Sequence, residues 1–433
     1  MPGTLPLRAR IGASVAALAE RQFRLLFFGR SFSVAGSSLV PVALAFAVLD
    51  LTGSATDLGL ILAARSVPTV LLLLVGGVWA DRLPRNVVML ASDVAQFAIQ
   101  GAVALLLLTG SAEIWHLVVA AALGGAAHAF FMPASSGIVP HTVPAERLQQ
   151  ANALLGMTTN TLNVLGPAIA GGLVATAGPG WAFAADSVTY LISAAFLLRM
   201  RLPRAAAKAE APNFLAELRD GFREFRQQTW MVAIDAWAIV ANMTVIAGFF
   251  VLGPLVAETE LGGASSWGLI VAGFGVGAVV GDAIAVAAKP RRPLVLACSV
   301  LWGYSLALVL LAVAAPTLVI AFGAFCAGLG LTLFNTLFLT TMQEQIPDEA
   351  LSRVTAYDWL ASVAFMPIGY AIVGPLADKA GVTEVLVTFA VLHVVLGVTV
   401  ASLPAVRRIE GKQSAAVAGP GPVAAAPEPE FPQ

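Results

Sequence analysis

Residues 76–86 read GGVWADRLPRN, and this short charged stretch separates two long apolar runs. VPTVLLLLV precedes it over residues 67–75, and VVMLASDVAQFAIQGAVALLLL follows it over residues 87–108. Paired glycines and a proline surround the charges, so the stretch favours a turn. Charge is costly inside the hydrocarbon core of a bilayer. Two apolar runs joined by a charged turn are therefore typical of consecutive membrane-spanning helices.

The composition of the whole chain agrees with a membrane protein. Of 433 residues, 58% are hydrophobic and 11% are charged, whereas soluble domains carry about 25% charged residues. The net charge of −1 favours neither a nucleic-acid partner nor an acidic one. Cys298 and Cys326 lie in apolar segments away from other cysteines and histidines, which argues against a metal site and against a disulfide framework.

Apolar stretches long enough to span a bilayer, roughly 20 residues each, recur twelve times. We predict an all-α membrane protein of two pseudo-symmetric six-helix bundles. The predicted helices 1 to 12 cover about residues 23–49, 57–80, 87–108, 115–139, 152–177, 182–202, 230–256, 264–288, 293–313, 316–341, 353–377 and 382–403.

Basic residues give the predicted orientation, because cytoplasmic loops of membrane proteins are enriched in Lys and Arg. Both termini and the connections after the even-numbered helices hold every basic residue except Lys379, Arg30 and Arg65. We therefore expect a multi-pass protein of the bacterial cytoplasmic (inner) membrane, with both termini in the cytoplasm.

The longest internal connection divides the chain into two halves. Its second part places Phe214, Leu215, Leu218, Phe222 and Phe225 at helical spacing, which is typical of an amphipathic helix on a membrane surface. The predicted organisation is a cytoplasmic lead-in over 1–22, a six-helix bundle over 23–202, a linker with this amphipathic helix over 203–229, a second six-helix bundle over 230–404 and a disordered cytoplasmic tail over 405–433.

The two halves resemble each other in sequence at nearly constant offsets. Duplicated halves with both termini on one side are typical of secondary transporters, whose substrate path lies between the halves. The matching pairs are VPAERL (143–148) with IPDEAL (346–351) and AIAGGL (168–173) with AIVGPL (371–376), both 203 residues apart, and more loosely LGLILAA (58–64) with WGLIVAG (267–273), 209 residues apart.

The stretch GGVWADRLPRN resembles the signature that the major facilitator superfamily carries between helices 2 and 3, roughly G-x-x-x-D-R-x-x-R. Gly77, Asp81, Arg82 and Arg85 match it, and Pro84 stands where a second glycine is usual. The resemblance implies that Asp81 faces the cytoplasmic start of helix 11, where a carboxylate meets the positive end of the helix dipole. The four matching residues would then form a latch that closes the cytoplasmic side in one conformational state.

Other stretches resemble the drug- and siderophore-exporter branch of the same superfamily, which includes macrolide-efflux and enterobactin-exporter-like proteins. Helix 5 resembles the antiporter-type motif at Gly166, Pro167, Gly171 and Gly172, although Leu162 stands where an upstream glycine is usual. Helix 1 reads VAGSSL where some relatives carry an acid. The stretches that carry the resemblance are FFMPASSGIVPHTVPAERLQQANAL (130–154), GPAIAGG (166–172) and ADSVTYLIS (185–193).

Helix 1 carries the first candidates for a substrate cavity. Arg30, Ser33 and Ser37 share one face of this helix, which the resemblance places at the central cavity. An arginine within a membrane helix costs roughly 2.5–3.5 kcal/mol unless it faces protein or water. The alternative is that Arg30 extends to the cytoplasmic interface. Further cavity candidates are His128, Phe131, Asn242, Phe249 and Asn335.

Buried acids are the candidates for proton coupling, because burial favours the neutral form of a carboxyl group. Asp235 on helix 7 leads, with an ordinary acid near the membrane interface as the alternative. Asp93 shares a face of helix 3 with Gln96 and Gln100, and we expect this face to pack against helix 2. The remaining proton-coupling candidates are Asp186, Asp358 and His128, whose imidazole titrates near neutrality without help.

The chain shows no Walker loop, no cluster of residues with metal-ligand spacing and no catalytic constellation, so we expect neither an enzyme nor a cofactor. The predicted function is proton-coupled efflux of an amphipathic small molecule such as a drug, antibiotic, secondary metabolite or siderophore, by a monomer in the lipid bilayer. An importer or facilitator on the same fold is one alternative. A non-transporting membrane sensor or assembly partner is another, and it would have a sealed apolar interface between the halves.

Overall fold

The computed structural model of the protein describes residues 16–201, 222–288 and 290–410, without the side chains of residues 74–82, 348, 349, 352, 353 and 356. Most of the predicted lead-in, most of the linker and the tail beyond residue 410 lie outside the described residues. Of the predicted amphipathic helix, residues 222–227 are described and are helical. There, Phe222 and Phe225 pack against the ring of Tyr357, with centroids 5.6 and 6.1 Å away.

The described part of the chain is helical and contains no strand, as predicted. Short helices cover Ala16–Ala19, Val139–His141, Ala145–Arg147 and Pro404–Arg407. The twelve long helices are α1 (Arg21–Ser37 and Val40–Thr52), α2 (Ala55–Arg82), α3 (Arg85–Leu108), α4 (Ile114–Ile138), α5 (Leu148–Ala177), α6 (Pro179–Leu198), α7 (Thr229–Ala241, a π-helical turn Asn242–Ile246, and Ala247–Glu260), α8 (Ala264–Ala287), α9 (Pro293–Val300 and Trp302–Ala312), α10 (Thr317–Gln345), α11 (Asp348–Ala364 and Met366–Ala380) and α12 (Val382–Ser402).

Eleven of these helices are long and apolar enough to cross a membrane. The twelfth, α5, has 30 residues but carries Asn152, Thr159, Asn160 and Asn163, which lower its hydropathy. Large apolar side chains cover the outside of the bundle; Val286 is 88% exposed and Leu318 is 73% exposed. Lipid tails are the solvent that such a surface requires, since a soluble monomer rarely exposes large apolar patches.

Contacts between helix ends place the starts of α1 and α5 at one end of the bundle. Arg147, before α5, forms an ion pair of 2.8 Å with Glu20, before α1. We term this end, which carries the basic connections, the basic end. At the opposite end, the hydroxyl of Thr56 in α2 donates a hydrogen bond of 2.7 Å to the carboxylate of Asp378 in α11.

The two halves meet through glycine contacts that repeat the internal symmetry of the sequence. A Cβ on Gly59 of α2 would collide with the carbonyl oxygen of Tyr370 in α11, and a Cβ on Gly268 of α8 would collide with that of Pro167 in α5. Gly268 follows Gly59 by 209 residues, and Tyr370 follows Pro167 by 203, which are the two offsets of the sequence repeat. The pairs α2–α11 and α5–α8 are therefore equivalent interfaces, and both need glycine for close backbone approach.

Buried apolar side chains show where the halves are joined. One large cluster combines residues of both halves, including Leu58 of α2 and Trp267 of α8. A separate cluster around Phe23, Met89 and Ile138 belongs to the first half alone and lies towards the basic end. The halves thus share their apolar core in the part of the bundle that includes the opposite end.

Adjacent glycines of α5 provide a test of the inter-half contact. A Cβ on Gly171 would lie 2.6 Å from the carbonyl oxygen of Ala264, whereas a Cβ on Gly172 would meet nothing within 4 Å. We expect Gly171→Val to destabilise the observed association of α5 with α8 by about 1–3 kcal/mol through overpacking. A thiol crosslinker between cysteines at positions 56 and 378, in a chain with Cys298 and Cys326 replaced by Ala, should then react more slowly.

Gly172→Val is the matched control and should leave the crosslinking rate unchanged. Equal rates in both variants would show that the Gly171 contact does not hold the opposite end closed.

Candidate functional site

A cavity of about 660 Å³ lies within the first half, and we term it the polar cavity. It extends from the middle of the bundle to Val139 and Asn152 near the basic end, and all six helices of this half line it. The polar side chains in its wall are Arg30, Ser33 and Ser37 of α1, Arg65 of α2, Ser92, Asp93 and Gln96 of α3, His128, Ser135 and Ser136 of α4, Asn152, Thr159 and Asn160 of α5, and Tyr190 of α6.

The polar face of α1 lines this cavity because the adjacent face of the helix is fixed against α6. A Cβ on Gly29 would lie 3.3 Å from Cβ of Phe196, and a Cβ on Gly36 would collide with the side chains of Thr189 and Asp186. These two glycines are seven residues apart, so they define one close-packed face. Arg30, Ser33 and Ser37 lie about a quarter of a turn from this glycine face and line the cavity. Ser33 interacts with Tyr190 of α6 at the edge of the cavity.

The polar face of α3 packs against α6 and α4 rather than α2, which corrects the predicted packing partner. Ser193 of α6 donates a hydrogen bond of 2.5 Å to Asp93, and Gln100 donates one of 2.7 Å to Asp186 of α6. Gln96 donates to the carbonyl oxygen of Gly124 in α4 at 3.1 Å. The spacing along α3 identified the face, but the choice of neighbouring helix depends on tertiary packing.

A second cavity of about 390 Å³ lies between the halves, and we term it the apolar cavity. Arg65 and His128 line both cavities, so the two spaces meet at these side chains. The apolar wall comes from α1, α2, α7, α8 and α11 and includes Val40, Leu44, Leu58, Leu62, Phe250, Trp267, Val271, Val363 and Met366.

Six of the predicted cavity and proton-coupling residues line the polar cavity. Asp186 lies behind the wall, bonded to Gln100 as described above. The six residues are Arg30, Ser33, Ser37, Asp93, His128 and Phe131.

Three cavity predictions in the second half have other surroundings. Phe249 is fully buried and contacts the rings of Trp267 and Tyr304, with centroids 5.0 and 6.4 Å away, so its neighbour Phe250 lines the apolar cavity instead. Asn242 begins the π-helical turn of α7 and donates a hydrogen bond of 2.5 Å to the carbonyl oxygen of Ser362 in α11. Asn335 is exposed and belongs to the wall of neither described cavity.

Asp235 of α7 and Asp358 of α11, predicted as separate candidates, lie together. Asp235 is 3% exposed, and its carboxyl lies close enough to that of Asp358 for the two groups to interact electrostatically. Among the described residues, oxygen Oδ2 of Asp235 has no hydrogen-bond partner. Two carboxyl groups in contact are most easily accommodated when they share a proton, because two like charges at one site repel each other.

The structure gives the surroundings of only some residues of the two sequence motifs. Gly77, Asp81 and Arg82 of the predicted latch lie in the last turns of α2, where side chains are not described, while Arg85 packs against Gly137 of α4. In the helix 5 motif, a Cβ on Gly166 would collide with the side chain of Ser38, at the break of α1. Pro167 and Gly171 lie at the inter-half contact with α8, and a Cβ on Gly172 would meet open space.

Several wall residues were not predicted as candidates. Arg65 carried the same signal as Arg30, a charge within an apolar helix, and could have been found from it. Asn152, Thr159 and Asn160 share one face of α5 at helical spacing. Tyr190 had no such signal, since a tyrosine in a membrane helix is as easily a packing residue.

Comparison with known proteins agrees with this architecture. The sequence profile of the Major Facilitator Superfamily matches residues 26–369, which is most of the chain. The protein therefore belongs to this superfamily of membrane transporters and is not an enzyme.

Named relatives are similar over most of their length but at low identity. The multidrug efflux pump Tap of Mycolicibacterium fortuitum is 25% identical over 406 residues, covering 89% of this chain and 96% of the pump. Macrolide efflux protein A of Streptococcus pyogenes is 20% identical, covering 90% of this chain and 98% of that protein. A crystal structure of peptide transporter POT in complex with sulfate superposes with a TM-score of 0.72 at 14% identity, covering 90% of this chain and 95% of that one. The last likeness shows the fold alone.

The buried bond between Gln100 and Asp186 should stabilise the first half. Gln100→Leu removes the donor and leaves a fully buried carboxyl without it. We expect a loss of about 1–3 kcal/mol in the free energy of unfolding, detected as a lower midpoint of thermal unfolding in detergent.

The double variant Gln100→Leu/Asp186→Leu is the control, and it should recover part of that loss because neither polar partner remains unpaired. If the stability loss of the double variant equals the sum of the losses in Gln100→Leu and Asp186→Leu, the two side chains are not directly coupled.

Proposed function

We propose that the protein is a secondary exporter that expels amphipathic small molecules from a bacterial cytoplasm in exchange for protons. The observation that carries this proposal is the junction of the polar and apolar cavities at Arg65 and His128, which offers one molecule both a polar and an apolar surface. The efflux relatives support the direction of transport. Substrates of this kind include drugs, antibiotics, secondary metabolites and siderophores.

Alternating access would occur by rocking of the two halves around this site. The glycine contacts bring the halves together at the opposite end, while the polar cavity reaches the basic end. If the basic end is cytoplasmic, as the distribution of Lys and Arg predicts, the observed arrangement admits substrate from the cytoplasm. Gly77, Asp81, Arg82 and Arg85 would latch the basic end against the start of α11 in the alternate state.

Proton coupling is assigned in this proposal to the pair Asp235 and Asp358. Helices α7 and α11 both belong to the second half and both border the apolar cavity, through Phe250 and Met366, so an occupant of that cavity can change the packing of the two helices and the separation of the two carboxyls. Separation would change the proton affinity of the pair, because a neighbouring negative charge disfavours ionisation. Asp93, Asp186 and His128 of the first half remain the alternative carriers.

The competing functions predict different interiors or different transport directions. A sensor or assembly partner would have a sealed apolar interface between the halves, whereas a cavity of about 390 Å³ lies between them here and meets the polar cavity at Arg65 and His128. An importer or facilitator would share the fold, since fold does not determine function. The presence of net transport and its direction are therefore the measurements that separate the three candidates.

Export is tested by the accumulation of fluorescent amphiphiles in bacteria that express the protein. We expect lower accumulation than in cells without it, and a protonophore should abolish the difference because it removes the driving force. Raised accumulation would establish uptake. An absence of any change across anionic, neutral and cationic amphiphiles would favour the non-transporting alternative.

Asp235→Asn and Asp358→Asn should each uncouple export from the proton gradient, because neither amide can release a proton. Movement of one charge across 100 mV is worth about 2.3 kcal/mol, equivalent to about a fifty-fold concentration ratio. The ratio reached by proteoliposomes with an imposed gradient should fall by up to that factor.

Asp282→Asn is the matched control, since Asp282 is an exposed acid of α8 and lines neither cavity. Full coupling in both pair variants would transfer the role to the acids of the first half.

A further inference from the structure

Two arginine side chains in the polar cavity have no partner among the described residues. Arg30 and Arg65 line this cavity, yet no described carboxylate lies within 4.0 Å of either guanidinium, and neither donates a hydrogen bond to a described residue. A guanidinium keeps its charge in proteins, and an unpaired charge removed from water is costly. The charge of Arg65 also interacts at longer range with Asp186, but neither guanidinium is paired directly, so both present positive charge to an occupant of the cavity.

The acids of the first half do not neutralise this charge at the cavity surface. Asp93 and Asp186 are both 0% exposed, and their bonded oxygens face Ser193 and Gln100. The second oxygen of each carboxyl is buried without a described partner. Such an oxygen is accommodated at lower cost in a neutral carboxylic acid than in a carboxylate. The charge that a ligand meets in the polar cavity is thus positive.

The apolar cavity adjoins the polar cavity at Arg65, which lines both. Its wall of aliphatic side chains, with Phe250 and Trp267, encloses about 390 Å³, which accommodates an aromatic or aliphatic group of moderate size. A ligand that satisfies both cavities has an anionic head and an apolar body. A cationic amphiphile would bring its charge against two guanidiniums, and like charges in a partly desolvated site repel strongly.

We propose that the substrate is an amphipathic anion, whose carboxylate or other oxyanion binds to Arg30 and Arg65 while its apolar body occupies the apolar cavity. The inference rests on the proposed transport function only in treating these cavities as the substrate site. The planar guanidinium suits this head group, because it donates two parallel hydrogen bonds to a carboxylate.

Three probes with one body and different heads test the proposal on the purified full chain in neutral detergent. They are pyrene compounds bearing a butyrate, a butanol or a butylammonium head, competed against radiolabelled pyrenebutyrate. We expect the butyrate to bind about ten- to a hundredfold more tightly than the butanol, as charge-assisted hydrogen bonds contribute that much. The butylammonium should bind more weakly than the butanol.

Substitution of the arginines should remove the head-group preference selectively. Arg30→Gln and Arg65→Gln should each weaken butyrate binding while butanol binding stays unchanged, and Arg65→Lys should retain part of the preference because it retains the charge. Arg292→Gln is the matched control, since Arg292 is an exposed arginine outside both cavities. Retained butanol binding also shows that each variant is folded.

Equal affinity for the three probes, or tightest binding of the butylammonium, overturns the proposal even if every variant fails to fold. An equal loss of affinity for butyrate and butanol in Arg65→Gln also overturns the proposal, because the side chain would then shape the site without distinguishing the charge of the head group. If added phosphatidylglycerol displaces pyrenebutyrate and phosphatidylcholine does not, the arginines bind an anionic lipid head group instead of a substrate. The binding measurement needs no proton gradient. A preference for the anionic head group without export would therefore contradict the proposed direction of transport, while the anionic substrate class would still hold.

Discussion

The inability of a lipid bilayer to solvate charge determines where the functional side chains of this protein lie. Every polar group at membrane depth must face protein or an internal water-accessible space. Arg30 and Arg65 satisfy this requirement at the wall of a cavity, and Asp93 and Asp186 satisfy it within the contact between α3 and α6. The apolar exterior and the polar interior of the first half are two results of this one constraint.

The same solvent explains how two halves of the chain can move without losing the fold. Between helices in lipid, close backbone approach supplies the attraction that the hydrophobic effect supplies in water. Gly59 against Tyr370 and Gly268 against Pro167 provide this approach at two equivalent places. Backbone contacts of this kind need no interlocking side chains, so a rocking motion can break and reform them together with the apolar contacts that the halves share. Within each half, polar bonds such as that of Gln100 with Asp186 keep the bundle intact.

The halves differ in how they place their acids, although their sequences resemble each other at nearly constant offsets. In the first half, Asp93 and Asp186 each accept a hydrogen bond from a neutral side chain. In the second half, Asp235 and Asp358 face each other. A carboxyl pair responds to small changes in separation, whereas a carboxyl bonded to an amide or hydroxyl is held in one environment. This difference favours a static role for the first half and a switching role for the second.

The sequence by itself determined the fold class, the twelve helices, the internal repeat and the polar face of α1, because each of these depends on hydropathy and helical period along the chain. The charge of Arg65 within an apolar helix was equally visible there. Only the tertiary structure decided that α3 faces α6, that Phe250 rather than Phe249 reaches a cavity, and that Asp235 meets Asp358. These outcomes depend on the rotation of each helix and on which helices become neighbours. Packing of small residues sets both, and the period of a single helix carries no information about its partner.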